Sequence, residues 1–396
     1  MSRSFSTRLL QWFDLHGRKN LPWQQDRSPY RVWVSEIMLQ QTQVITVIPY
    51  YQRFIERFPD VHALAKANID EVLHYWTGLG YYARARNLHK TAIEIANKDG
   101  QFPNQVDELM ALPGIGRSTA GAIKSIAFAQ RAAILDGNVK RVLCRHENIR
   151  GWPGEKQVEI KLWQIAEALT PRKRVRDYTQ AIMDLGATLC LKSQPKCHDC
   201  PLSRSCEAHQ LGEQQQLPTK KPKKTLSTKR VMMLILQNSD EAVLLFKRPP
   251  SGIWGGLWSF PEISEDGAAL LNQIKFESTS NRPKTARVAN AKLNESVQHD
   301  MQTINQSALT TYLHEQFAVH LEKIEIWPMI KHSFTHFRLE ITPLFCQVGL
   351  AGDSNMVREQ DNFDWIQLSL TSKLGTAKPV LQLLDILSER RSLTLA

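Results

Sequence analysis

Four cysteines lie close enough in sequence to bind one metal centre. They fall within 17 residues with the spacing C-x6-C-x2-C-x5-C: Cys190, Cys197, Cys200 and Cys206. Four thiolates on one short segment can bind a tetrahedral metal ion or the corners of an iron–sulfur cluster. Zinc sites usually contain two C-x2-C pairs, whereas this segment has one. The spacing therefore favours an iron–sulfur cluster over zinc.

Two disulfides are the alternative use of the four cysteines. The first residues, MSRSFSTRLLQWFD, do not resemble a signal peptide, and no apolar run approaches the roughly 20 residues of a membrane helix. We therefore expect a soluble protein of the bacterial cytosol and nucleoid, without membrane contact. Cysteines that cluster in such a reducing compartment serve metal or redox chemistry.

A glycine-containing hairpin is the second chemical feature. The segment LPGIGRSTAGAI begins at Leu112 and follows a predicted short helix, 107–112. Gly114 and Gly116 allow a tight turn, and a helix that begins at Arg117 offers free N–H groups to a phosphate. Such a helix–hairpin–helix binds the DNA backbone without reading bases. The alternative is an ordinary turn between packed helices.

Two carboxyl groups could perform acid–base chemistry. Glu36 lies among the apolar residues Ile37, Met38 and Leu39, and an apolar environment raises the pKa of a carboxyl group. Asp136 precedes a glycine in the segment LDGNVKRV. Taken singly, Glu36 fits an exposed helical residue and Asp136 fits a helix N-cap. They become informative together with the hairpin and the cysteines.

Charge divides the chain into two parts. The chain has 396 residues, a formal charge of +11 and a sequence pI near 9.3, which indicates a polyanionic partner such as nucleic acid. Residues 1–210 carry a net charge of +9, residues 211–230 carry +5 and residues 231–396 carry −3. We predict a catalytic region over 1–210, a basic linker over 211–230 and a second domain over 231–396. The linker is either a solvated spacer or a tether that contacts phosphates.

Apolar periodicity differs between the two parts. Helical spacing is found before the linker at 31–44, 61–76, 83–98, 117–127, 158–169 and 178–189. Strand-like runs follow the linker at 231–236, 242–246 and 337–342. The fold class is therefore a mostly α-helical first half and an α+β second half. Residues 275–308 are polar and predict a mobile insertion.

The first half resembles a known enzyme family. The segments EIMLQQTQV, GLGYYARARNLHK, LPGIGRSTAGAI and LDGNVKRV, with the cysteine spacing, resemble the MutY adenine DNA glycosylases of the helix–hairpin–helix superfamily with a Gly-Pro-Asp-type loop. The resemblance implies a six-helix part at about 29–133 and a cluster part formed by 1–28 and 134–210. It also implies one [4Fe–4S] cluster on the four cysteines.

The resemblance implies a catalytic role for each carboxyl group. Glu36 would donate a proton to adenine and then activate water, and Asp136 would remain ionised and stabilise or trap the positively charged sugar. Asn138 and Ser118 would orient the reacting groups. Ser118 stands where endonuclease III-like enzymes have a lysine that forms a Schiff base with the sugar. A hydroxyl group cannot do so, which predicts a monofunctional glycosylase. Lys140 could still nick the strand weakly.

The resemblance also implies sets of binding residues. Residues that fill or wedge the duplex are Gln40, Gln41 and Tyr81, the last of which could otherwise be a core aromatic. Further contacts with DNA come from Gly114, Gly116, Arg117 and Lys140. The adenine pocket is formed by Trp23, Leu39, Gln180 and Met183.

The second half resembles the Nudix fold. Residues 248–262, RPPSGIWGGLWSFPE, look like the entry to a nucleotide-recognition domain. The helix near Thr311 has only Glu315 where a hydrolysing Nudix enzyme has R-E-x2-E-E, which predicts recognition without phosphohydrolysis. In the MutY family a Phe-Ser-His loop recognises 8-oxoguanine, and the corresponding residues in this chain are Phe334-Thr335-His336. The alternative is that Phe334 and His336 are an ordinary packed aromatic residue and a histidine in a turn.

The expected substrate is double-stranded DNA with adenine opposite 8-oxoguanine or guanine, bound by a monomer. One alternative is an endonuclease III-like pyrimidine glycosylase and AP lyase, which Ser118 and the second domain oppose. The other is a non-enzymatic protein that binds damaged DNA, which would be expected to lack Glu36 or Asp136.

Overall fold

The structure is a computed structural model, and it describes residues 4–222, 225–264, 306–350 and 362–394. The chain divides into two compact units, residues 1–223 and 224–396. Among the described residues, no helix has the length and apolarity needed to cross a bilayer.

The first unit is helical. Its helices are α1 (Phe5–His16), α2 (Pro22–Gln25), α3 (Pro29–Leu39), α4 (Val44–Arg57), α5 (Val61–Lys66), α6 (Ile69–Trp76), α7 (Ala83–Ala96), α8 (Val106–Met110), α9 (Arg117–Ile126), α10 (Gly137–His146), α11 (Lys156–Leu169), α12 (Val175–Thr188) and α13 (Glu207–Gln210). Short 3-10 turns at Cys197–Asp199 and Ser203–Ser205 lie in the cysteine segment.

Helices α1, α10 and α12 enclose one apolar core of this unit. Leu9, Leu143 and Leu185 are almost completely buried there, one from each of these helices. Glycine allows α10 and α12 to approach closely, because a Cβ on Gly186 would lie 2.6 Å from the Cβ of Asn138. This close packing places the segment after Asp136 beside the segment that leads to Cys190.

Two of the predicted helices are interrupted. The apolar pattern over 61–76 forms α5 and α6, since the side chain of Asn68 accepts a hydrogen bond from the Asp70 N–H and starts a new helix. The pattern over 31–44 ends at Leu39: Gln40 leaves the helical conformation with a ψ of 114°, and Gln41 follows in a left-handed conformation with a φ of 57°. Periodicity located these helices but did not locate their breaks.

Much of the segment predicted as a linker is structured. Leu217 is buried, and its carbonyl oxygen accepts a hydrogen bond from Arg145 Nε at 2.9 Å. Glu213 forms an ion pair with Arg150 at 2.6 Å. At the other end, strand β1 already begins at Ser227. A solvated spacer over all of 211–230 is therefore wrong, because apolar and ionic contacts hold its first half on the helical unit.

The second unit is built on one mixed sheet. Its strands are β1 (Ser227–Gln237), β2 (Ala242–Lys247), β3 (Trp258–Ser259), β4 (Glu262–Ser264), β5 (Val319–Ile326), β6 (Ile330–Ser333), β7 (Phe337–Leu350) and β8 (Phe363–Gln367). The described residues of this unit also form the helices α14 (Gln306–Phe317) and α15 (Lys378–Thr394) and a 3-10 turn at Leu368–Lys373.

The strand order is β3-β2-β1-β7-β5, with β4 paired to β1, β6 to β7 and β8 to β2. Strands β1 and β7 are parallel along their length, and the other pairs are antiparallel. Leu309 and Leu313 of α14 pack with Leu234 of β1 and Leu344 of β7 in the apolar core.

These elements confirm the predicted fold class: a helical first half and an α+β second half. The predicted mobile insertion, 275–308, lies outside the described residues except for its last three positions. Those three residues belong to α14, so the predicted C-terminal boundary of the insertion lies too far along the chain.

Candidate active site and cysteine centre

Glu36 lies on α3 and is partly buried. Burial raises the pKa of its carboxyl group to about 8, and the negative charge of Asp136 contributes in the same direction. A carboxyl group with this pKa carries its proton at neutral pH and can donate it.

Asp136 is the N-cap of α10, and its Oδ1 accepts a hydrogen bond from the Val139 N–H at 2.7 Å. Burial raises the pKa of this carboxyl group above its usual range, while backbone N–H groups of Val139 and Asn138 and the charge of Arg141 oppose the rise. These donors favour the ionised form of Asp136. The two carboxyl groups therefore differ: hydrogen-bond donors oppose the effect of burial at Asp136, whereas burial and a like charge act together at Glu36. The N-cap and the catalytic interpretation of Asp136 are compatible.

Ser118 and Asn138 make different hydrogen bonds close to Asp136. The Ser118 hydroxyl oxygen accepts a hydrogen bond from the Leu135 N–H at 3.0 Å, which fixes the chain just before Asp136. Asn138 Oδ1 accepts from Arg141 Nη2 at 2.8 Å.

Arg141 joins the Asp136 segment to the cysteine segment. Besides Asn138, its guanidinium donates to the carbonyl oxygens of Gly186 and Cys190, each at 2.7 Å. One side chain therefore contacts α10, α12 and the first of the four cysteines.

The four predicted metal-ligating cysteines line one cavity, and all are free thiols. No three candidate ligands among the described residues are close enough to share a single metal ion. The four thiols form no disulfide with one another, which was the alternative use of these cysteines.

Arg145 supplies a positive charge at this cavity. It is only 2% exposed, and its Nη1 lies 3.3 Å from Cys190 Sγ. Its other described acceptors are the carbonyl oxygens of Leu191, Lys192 and Leu217. A buried cation is costly unless an anion compensates it. A cluster held by four thiolates is anionic, so the residues present fit that group.

The hairpin has the geometry that binds phosphate. Gly114 has a φ of +79°, and a Cβ there would lie 2.8 Å from the Cβ of Asn87. Gly116 faces open space, and α9 begins after it without a side-chain cap. The first N–H groups of α9 are therefore available to an anion.

The two predicted DNA-binding cations already have partners. Arg117 forms an ion pair with Glu167 and lies 4.0 Å from the ring centroid of Trp163. Lys140 Nζ lies 2.6 Å from Glu159 Oε1. Contact of either cation with a phosphate would require it to leave or share its carboxylate.

The predicted wedge residues lie on two short segments between helices. Gln40 and Gln41 follow α3, and Gln40 Nε2 donates to Thr119 Oγ1 at 3.3 Å. Tyr81 precedes α7, has a φ of 49° and is 47% exposed. Tyr81 is therefore not a core aromatic.

The four predicted adenine-pocket residues have different described surroundings. Gln180 lines a cavity with Arg18 and Gln24, and its Nε2 donates to Asp184 Oδ1 at 2.9 Å. Trp23 is buried against the ring of Tyr51. The remaining two, Leu39 and Met183, do not line this cavity either.

In the second unit, Phe334, Thr335 and His336 form the turn between β6 and β7. The ring of Phe334 stacks on Phe337 with centroids 4.5 Å apart, while Thr335 and His336 are exposed. Trp254 lies 5.8 Å from Phe334, so the predicted entry segment 248–262 reaches this turn. The turn is a packed aromatic base with two exposed polar side chains.

Sequence reasoning missed three arginines that organise the first unit: Arg84, Arg141 and Arg145. Two of them lie inside segments quoted for the resemblance, GLGYYARARNLHK and LDGNVKRV. Their acceptors are mostly backbone carbonyl oxygens distant in sequence, which leave no residue-type signal.

The fold and the site define a base-excision DNA repair protein with an added Nudix domain. The model of the HhH-GPD superfamily of base excision DNA repair proteins matches residues 34–168, and the NUDIX domain model matches residues 231–385. The adenine DNA glycosylase of Buchnera aphidicola subsp. Baizongia pistaciae (strain Bp) is 35% identical over 96% of this chain and 95% of its own. That of Arabidopsis thaliana is 32% identical over 94% of this chain and 62% of its own. The chain belongs to the adenine DNA glycosylase family.

Among solved structures, a thermostable thymine-DNA glycosylase aligns with a TM-score of 0.46 and 28% identity, over 52% of this chain and 95% of that one. The family membership makes this chain a DNA glycosylase that binds DNA and acts on adenine in base excision repair.

Proposed function

We propose that this protein removes adenine paired with 8-oxoguanine or guanine in double-stranded DNA, by hydrolysis of the N-glycosidic bond and without strand cleavage. The observation that carries the proposal is the pair of Glu36 and Asp136, in which burial and the neighbouring charge raise the pKa of Glu36 to about 8. A protonated acid beside an ionised carboxylate is the arrangement that glycoside hydrolysis requires.

The reaction places opposite charges on its two products. As the bond between adenine and C1′ breaks, its electron pair goes to the base, and Glu36 donates a proton to a ring nitrogen. The positive charge that develops on the sugar is stabilised by the ionised form of Asp136, which accepts a hydrogen bond from the Val139 N–H. Water then adds to C1′, and the Glu36 carboxylate accepts the proton that water releases.

Ser118 supports a monofunctional reaction. Its hydroxyl is engaged with the Leu135 N–H and cannot form a Schiff base with the sugar. The base is lost and the strand remains intact until alkali or another enzyme cleaves it.

The four cysteines would hold one [4Fe–4S] cluster, which supplies a cross-link for the segment between Cys190 and Cys206 rather than electrons for hydrolysis. This segment contains Lys192, Lys196 and Arg204, which would lie against DNA phosphate. Arg145 would balance part of the negative charge of the cluster.

The second unit would read the base opposite adenine. The ring of Phe334 on its aromatic base and the exposed polar atoms of Thr335 and His336 offer stacking and hydrogen bonds to 8-oxoguanine. Helix α14 has one glutamate after Thr311, so we propose recognition without phosphohydrolysis. The protein would act as a monomer.

A single-turnover assay tests the proposal, with duplexes that hold adenine opposite 8-oxoguanine, guanine or thymine. Each reaction is analysed with and without alkali. Excision of adenine opposite 8-oxoguanine that produces a strand break only after alkali supports the proposal. Tight binding without adenine release from any duplex would instead indicate a protein that only binds damage.

A further inference from the structure

We propose that Arg84 is a positioning residue that fixes two segments predicted to enter the duplex, 40–42 and 79–81, relative to each other, and that this arrangement controls extrusion of the target base. The proposal rests on the proposed function, because that function requires the adenine to leave the duplex.

The first set of contacts holds the end of α3. Arg84 Nη1 donates to the carbonyl oxygens of Ile37 and Met38, each at 2.9 Å, and to that of Gln40. The last carbonyl groups of a helix have no partners within the helix, and a cation there is favourable. Arg84 therefore ends α3 at the position from which Gln40 and Gln41 project.

The second set of contacts holds the segment before α7. Arg84 Nη2 donates to the carbonyl oxygens of Leu79 and Gly80 at 3.3 and 3.2 Å, and to Thr42 Oγ1 at 3.3 Å. The guanidinium also lies 5.4 Å from the ring centroid of Tyr81. One planar group thus contacts both segments.

Both segments contain a strained residue that needs such support. Gln41 and Tyr81 have φ angles of 57° and 49°, a region that non-glycine residues seldom adopt. Strain of this kind persists only where surrounding contacts determine the conformation, and it is found at functional sites.

An arginine is needed for this arrangement. A lysine has one ammonium group and cannot direct several donors into one plane, whereas a guanidinium can. The described acceptors of Arg84 are carbonyl and hydroxyl oxygens, with no carboxylate among them. Burial lowers the pKa of Arg84 to about 10, so the group remains charged at neutral pH.

The experiment compares Arg84→Lys and Arg84→Met with Arg53→Lys as the matched control. Arg53 is an exposed arginine of α4 that stacks on the ring of Tyr50. Single-turnover excision is measured on a duplex with adenine opposite 8-oxoguanine and on a second duplex in which the adenine is an unpaired bulge. The bulged base is already partly unstacked and needs less work to extrude.

We expect Arg84→Lys to slow excision from the paired duplex by about 30-fold and from the bulged duplex by less than about 3-fold, with Arg53→Lys unchanged on both. The dependence of the rate on pH should stay the same, since Glu36 is not altered. Equal losses on the two duplexes would overturn the proposal, because they would indicate general damage to the fold or to the adenine site. An unchanged rate on the paired duplex would overturn it as well.

Failure of the proposed function would give a different result. In that case the wild-type protein would excise adenine from neither duplex. Extrusion is then followed by the fluorescence of 2-aminopurine at the adenine position, which does not need excision. A reduced signal in Arg84→Lys supports the positioning role, and a signal equal to that of the wild type overturns it.

Discussion

The helical unit and the sheet unit use different chemistry at their candidate sites. In the first unit, ionisable groups are withdrawn from water: Glu36 has a raised pKa and Arg145 is buried beside a cysteine. In the second unit, the 334–336 turn exposes polar side chains above stacked rings, and burial there serves packing. Hydrolysis of a bond needs ionisable groups whose pKa values are shifted by burial. Recognition needs aromatic ring faces and polar atoms that a partner can reach.

The largest expected effect would test the first half of that contrast. Glu36→Gln should reduce excision by at least about 10³-fold, because an amide cannot donate the proton, while affinity for the mispair stays within a few-fold. Single-turnover excision and DNA-binding titration measure the two effects. Glu56→Gln, an exposed change on α4, is the control. Excision by Glu36→Gln at a near wild-type rate would contradict the assignment.

The same variant should be more stable than the wild type. The pKa of Glu36 is raised from 4.5 to about 8, so folding opposes ionisation and stability is lost as pH rises from 4.5 to 8. Removing the group should raise the unfolding free energy by up to roughly 3 kcal/mol at pH 7, and by little at pH 4. Denaturant titrations at the two pH values measure this difference.

A smaller effect is expected from pH alone. Glu36 acts in its protonated form, so the single-turnover rate should fall about tenfold per pH unit above pH 8. Asp136 acts in its ionised form, and because its pKa is raised, the acid limb should begin above the usual aspartate range. A rate that stays constant from pH 7 to pH 10 would show that Glu36 is not the proton donor.

The second unit should affect selectivity rather than chemistry. Phe334→Ala removes the ring that stacks on Phe337, and should lower the preference for 8-oxoguanine over guanine opposite adenine by about 10-fold. Excision rates on the two duplexes give this ratio. Thr335→Ser keeps the hydroxyl group and should change the ratio by less than about 2-fold. Equal losses of excision rate on both duplexes would indicate that Phe334 is needed for catalysis or folding. That result would contradict the difference between the two units.

The smallest expected effect concerns the paired cations. Glu159→Gln frees Lys140 from its ion pair and should raise affinity for undamaged DNA by about 2- to 5-fold at low salt, with the gain disappearing at high salt. Glu155→Gln changes the net charge equally and also lies at the start of α11, so it serves as the control. Equal gains from both variants would mean that overall charge, and not release of Lys140, determines the affinity.

The sequence predicted what local patterns determine. The helix that carries Glu36, the cap formed by Asp136 and the strands of the second unit depend on neighbouring residues and on periodicity. The end of α3 did not follow from its pattern, because it depends on Arg84, which is 46 residues from Met38. Leu217 lies 72 residues from Arg145, and the linker prediction failed for the same reason. Contacts of this length are fixed by tertiary packing and have no local signature.

The proposed cluster would make the buried charge of Arg145 depend on the iron supply of the cell. If the four cysteines hold the cluster as proposed, a chain made during iron shortage would have this cation in its interior without its counter-charge. Removal of one partner from a buried ion pair is strongly destabilising. Such a chain would fold poorly and be degraded, so that the supply of one nutrient would set how much adenine repair a cell can perform.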